Sequence, residues 1–208
     1  MSVLVSTVMM ATLVVGPFYL SRALGLDATR VGLVLSIGPL AAGLTGVPAG
    51  RLADSFGAQR MTIVGLSGIA AGSLCLSFIP AALGTIGYIA PIVVLTACYA
   101  LFQTANNTEV MTDIRPDQRG VISGMLNLSR NLGLITGASV MGAVFSLGSE
   151  TVNVTTAHPE VVATGMRVTF TVAAMLSVVA LALAFGSRGA RRSRASATSR
   201  SRRQSAPM

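Results

Sequence analysis

The chain has 208 residues, 52% of them hydrophobic and only 11% charged. Soluble domains carry about 25% charged residues, so this composition excludes a water-soluble globular fold. The net charge of +8 comes entirely from arginine. Its concentration after the last apolar run, at Arg188, Arg191, Arg192, Arg194, Arg200, Arg202 and Arg203, points to a membrane-anchoring tail and away from a nucleic-acid partner.

Charge-free runs occupy 1–21, 31–50, 61–108, 131–149 and 168–187, and each is about as long as a bilayer-crossing helix or longer. The run 61–108 would extend about 72 Å as one helix, over twice the hydrocarbon thickness. It must fold back, and Pro80 to Gly87 supplies the turn. Backbone groups in lipid must be satisfied within each segment, which requires helices. The lack of strict alternation speaks against a membrane barrel. The prediction is an all-α membrane protein with six spans, about 3–20, 31–49, 61–79, 87–106, 120–147 and 165–186, then a basic, disordered tail over 187–208.

The first span starts abruptly at Val3, without a polar flank, basic leader or cleavage site, which points to a missing upstream portion. Gly16-Pro17 predicts a kink near its end. Asp27 is placed to cap the second span, which Pro39 and Pro48 keep from being straight. The stretch Gly46 to Arg60 then reads as a helix end, a tight charged hairpin and a new helix start. Gly57 suits a turn of positive φ, and Gly46 and Gly50 share one face. Cys75 and Cys98 fall inside spans and read as packing residues. The fourth span ends in a polar stripe, Tyr99, Gln103 and Asn106, at i, i+4, i+7. It bonds across helices or faces a substrate. A polar loop with Glu109, Asp113, Arg115, Asp117 and Arg119 precedes the fifth span. Further Gly-xxx-Gly pairs at 68/72, 120/124 and 133/137 predict packing faces.

Six spans divide the loops between two sides. One side holds 50–60, 107–119 and the tail, with eleven arginines; on the other, the loops hold only Arg22 and Arg30. The arginine-rich side is expected to be cytoplasmic, with both termini there. The first three spans then run opposite to the last three, a 3+3 inverted repeat of the kind that builds secondary transporters.

Gly46-xxx-Gly50-x-Leu52-Ala53-Asp54-xx-Gly57-xx-Arg60 resembles the signature loop of the major facilitator superfamily. Arg119-Gly120-Val-Ile-Ser123-Gly124-Met-Leu-Asn127-Leu-Ser-Arg130-Asn131-Leu-Gly133-xxx-Gly137 is similar to the penultimate-region helix of its drug:proton antiporter branch. Ser55 and Gln59 stand where the family often has basic residues. The resemblance implies the C-terminal half of an efflux transporter in a bacterial inner membrane, moving small lipophilic compounds by alternating access. Its implied partners are membrane lipid, a small-molecule substrate, and a complementary six-helix half or a second copy of the chain. The alternative is a non-transporting remnant or accessory membrane protein. Gly50, Asp54, Gly57 and Arg60 would form a gating loop, with Asp54 paired to Arg60 or set at a neighbouring helix N-terminus.

Arg130 is the sharpest anomaly. A fifth helix starting near Gly120 puts it about 15 Å deep, close to the midplane. A central arginine costs at least about 2.5 kcal/mol, so it must face protein, water or an anionic group. Asn127, Arg130 and Asn131 share a face by i, i+3, i+4 spacing, with Glu109 and Asp113 as possible counter-charges. Together with Gln103 and Asn106 they are the candidate cavity residues. If the helix starts earlier, near Asp117, Arg130 is instead a structural pin nearer the cytoplasm. No acid lies in the interior of a predicted span, and no nucleotide-binding loop, nucleophile–base set or metal-ligand cluster occurs. No cofactor and no enzymatic activity are expected.

Overall fold

The computed structural model describes the backbone of residues 1–80, 83–112, 114–149 and 158–204, with side chains to residue 186. Its six long helices are α1 (Ser2–Phe18), α2 (Ala28–Phe56), α3 (Ala58–Phe78), α4 (Gly84–Thr112), α5 (Arg119–Gly148) and α6 (Pro159–Gln204). Six segments are long and apolar enough to cross a membrane: Ser2–Ala23, Ala28–Phe56, Ala58–Phe78, Gly84–Thr112, Pro116–Gly148 and Pro159–Gly186.

The ends of these helices follow from local chemistry. Pro17 lies inside α1, and the ladder then widens into a π turn over Tyr19–Ala23, with the Leu24 N–H on the Tyr19 carbonyl at 3.1 Å. Asp27 caps α2, accepting from the Arg30 N–H at 3.3 Å. Gly57 alone joins α2 to α3, at φ +89°, a conformation that a side chain would strain. The expected hairpin is thus tighter than a loop, because α2 stays helical through Asp54 and Phe56. A 3-10 turn, Pro116–Gln118, leads into α5. The backbone of α6 continues helically to Gln204, through most of the stretch expected to be a disordered tail. Alanine and arginine are both good helix formers. Asp113, Glu150 and the remainder of the loop to residue 157 lie outside the described residues.

The pairing of the helices has an internal symmetry. α1 packs against α5 and α6, α3 against α4 and α6, and α2 against α4. Exchanging α1–α3 for α4–α6 maps these pairs onto one another: α1·α5 onto α4·α2, α3·α4 onto α6·α1, and α3·α6 onto itself. The weaker pairs α5·α6 and α2·α3, and α1·α2 and α4·α5, exchange in the same way. This is the contact pattern of a 3+3 inverted repeat.

Close approaches between backbones hold the bundle. A Cβ on Gly137 would stand 2.8 Å from the Thr7 Cα, and one on Gly65 would stand 2.8 Å from the Phe102 backbone nitrogen. Hydrogen bonds reinforce these seams. Thr7 donates to the Gly133 carbonyl at 3.0 Å, and Ser77 donates to the Arg167 carbonyl at 3.1 Å while lying 2.6 Å from the Thr171 hydroxyl. Tyr19, Tyr88, Phe102 and Phe170 are the largest fully buried side chains.

Candidate functional site

Four helices, the two symmetry-related pairs α1·α5 and α2·α4, line a half-open cavity of about 390 Å³. α1 contributes Met9, Thr12 and Leu13; α2 contributes Val34, Leu35, Gly38, Pro39 and Ala42. α4 contributes Tyr88, Ile92, Thr96 and Tyr99, and α5 contributes Arg130, Asn131 and Leu134. α3 and α6 line none of it and form the back of the bundle. The wall is mainly apolar, with hydroxyls from Thr12, Thr96, Tyr88 and Tyr99 and one cation, Arg130. That mixture suits a small organic molecule held by surface burial and oriented by a few polar groups.

A second cavity of about 220 Å³ adjoins it, and Arg130 belongs to both walls. Ser2, Gln103, Asn107, Met111, Ser123, Leu126 and Asn127 complete the smaller one. Arg130 is half-buried, and an Nη donates to the Asn127 Oδ1 at 2.7 Å. It forms no ion pair among the described residues. With α5 starting at Arg119, Arg130 lies about 16 Å along the helix.

Of the candidate cavity residues, Gln103, Asn127 and Arg130 therefore meet at the smaller cavity, and Arg130 and Asn131 border the larger. Gln103 also donates to the Tyr99 hydroxyl at 3.1 Å, so part of that stripe bonds within its own helix. Asn106 lines neither cavity. It is buried against α1, with its Nδ2 on the Ser2 Oγ at 3.2 Å, and its neighbour Asn107 faces the smaller cavity in its place. Thr12, Thr96 and Tyr88 were not singled out by sequence. Isolated hydroxyls in apolar runs carry no periodic signal, although Thr96 and Tyr88 lie eight residues apart on one face of α4.

Asp54 lies in the last turn of α2, exposed, three residues before Gly57. It forms no ion pair with Arg60 or Arg51 among the described residues. The dipole of α2 disfavours a carboxylate at this end, while Arg51 three residues before it and the start of α3 at Ala58 lie close along the chain.

Six membrane-length helices, arranged as two exchangeable triplets around a polar-tipped apolar cavity, define a multi-pass membrane protein of secondary-transporter architecture. The sequence profile of the Major Facilitator Superfamily matches residues 1–207. The chain belongs to that superfamily. Two relatives are similar over 130 residues, 62% of this chain: the uncharacterized transporter YebQ of Escherichia coli at 34% identity and the riboflavin transporter RibZ of Clostridioides difficile at 25%. The matched stretch covers 28% of each relative's length.

Proposed function

We propose that the chain is the C-terminal six-helix half of an efflux transporter of the drug:proton antiporter branch. It moves small lipophilic compounds across a bacterial inner membrane by alternating access. The observation that carries this is the mainly apolar cavity of about 390 Å³ between α1, α2, α4 and α5, with Arg130 on its wall. It has the size and lining of a small-molecule site. The names of the two relatives, both transporters, support movement of a solute.

The cavity is one wall of a path, and a complementary six-helix bundle or a second copy closes it. The open glycines Gly43, Gly46 and Gly50 on α2 and Gly120 and Gly124 on α5, none with a heavy atom within 4 Å of its would-be Cβ, support that contact. Proton exchange falls to a complementary bundle of different sequence, because arginine does not titrate usefully and a second copy would bring no acid inside a span. Asp54 and Arg60, flanking the Gly57 joint between Gly50 and α3, bias the gate by seeking charges on that partner.

Everted vesicles carrying the full assembly, challenged with neutral, cationic and anionic lipophilic dyes, test the reading. Gradient-dependent movement of at least one dye is expected, and Asp54→Asn is expected to slow it at least tenfold without changing thermal stability. No movement of any dye, with or without a gradient, would return the chain to an accessory role.

A further inference from the structure

The two cavities that share Arg130 continue into a third. Arg119, at the start of α5, lines a shallow cavity with Asn107, Thr108, Met111 and Thr112. Asn107 and Met111 also line the 220 Å³ cavity, and Arg130 links that one to the 390 Å³ cavity. A solute entering from the loop end of α4 and α5 therefore meets a guanidinium at the mouth and another at the inner step. The described lining residues of all three cavities include these two cations and no carboxylate.

Arg130 is built for an occupant of opposite sign. It presents five N–H donors in a planar fork, a geometry that fits carboxylate, sulfonate or phosphate oxygens. Asn127 Oδ1 engages one end at 2.7 Å and fixes its orientation. Asn127 is neutral and does not compensate the charge, and a cation within a membrane-spanning helix is costly to hold without an anion or water beside it. Beyond Arg130 the wall becomes apolar, with Leu13, Val34, Leu35, Ile92 and Leu134.

We infer that the paired cavities bind an amphipathic organic monoanion, its acidic head on Arg130 and its apolar body in the larger cavity. This rests on the transport reading above and names the substrate class. A lipophilic cation meets like charge at both steps and is disfavoured. An anionic phospholipid head offers the same chemistry as a soluble anion, so the test separates the two.

The full-length protein, extracted with its assembly partners into zwitterionic nanodiscs, is titrated with 2-naphthoate and with its neutral isostere 2-naphthamide. Naphthoate is expected to bind at least tenfold more tightly than the amide. Arg130→Gln is expected to remove that preference and leave the amide unchanged, while Arg130→Lys retains part of it. The lysine variant keeps the test decisive if the glutamine variant does not fold. Equal binding of acid and amide, no binding of either, or an unaltered preference in Arg130→Gln would overturn the inference. Displacement of naphthoate by phosphatidylglycerol in the nanodisc would assign the site to a lipid head and withdraw the soluble anion. Vesicles that export only neutral or cationic dyes, unaffected by Arg130→Gln, would leave the transport reading standing and remove this one alone.

Discussion

Gly133 and Gly137 let α5 lie directly on the backbone of α1, and Thr7 closes the seam through its bond to the Gly133 carbonyl. Gly137→Val places atoms where the Thr7 backbone already stands, and overpacking of this kind costs about 1–3 kcal/mol. A lowered unfolding temperature in detergent is the expected readout. Thr7→Val removes one interhelical bond, worth about 0.6 kcal/mol in a membrane setting, and is expected to shift the transition far less. Single positions also mark where legibility ended. The stripe Tyr99, Gln103, Asn106 was read from spacing alone, yet Asn106 turns to Ser2 while Asn107 faces the cavity. Adjacent helical residues differ by about 100°. Which of the two points inward depends on where α1 lies, and a one-dimensional pattern does not contain that. Arg130 was legible because a guanidinium inside the expected span 120–147 requires a reason.

The helices differ in how they use their small residues. Four Gly-xxx-Gly pairs stand out in the sequence with equal force, and the structure separates them into two kinds. Gly68 and Gly72 close on Cys98 and Leu95 of α4, and Gly133 and Gly137 close on α1. Gly46 and Gly50 of α2, and Gly120 and Gly124 of α5, meet nothing within 4 Å. On α5 the two kinds are out of phase: Gly124 and Gly133 are nine residues apart, about two and a half turns, hence on opposite faces. α1 is the most buried span and α2 the least, with α5 next to it. The double variant Gly46→Leu with Gly124→Leu is therefore expected to leave bundle stability within about 0.5 kcal/mol. It should also abolish chemical crosslinking to the partner bundle and dye movement. A loss of thermal stability comparable to that of Gly137→Val would instead place these faces inside the bundle.

At the scale of the molecule, six spans were legible because hydrocarbon thickness imposes a length that hydropathy records directly. The order in which they pack was not, since lipid tails are as apolar as leucine and hydropathy does not choose between neighbours. The 3+3 repeat was expected from six alternating spans, but which helices pair, and so the placement of the cavity on α1, α2, α4 and α5, emerges only from the contacts. The arginine bias predicts sidedness. With Cys75 and Cys98 replaced by alanine, cysteines at Ser55 and Asp117 are expected to react with an impermeant maleimide in everted vesicles only. Cysteines at Thr29 and His158 are expected to react in right-side-out vesicles only, and any mixing of the two sets would break the topology. The single-residue joint at Gly57 has a mechanical result. A connector of that length leaves little slack between α3, in the rear layer, and the tip of α2. Gly57→Ala would strain that φ of +89°, and under the transport reading it is expected to slow dye movement while leaving binding in the larger cavity unchanged.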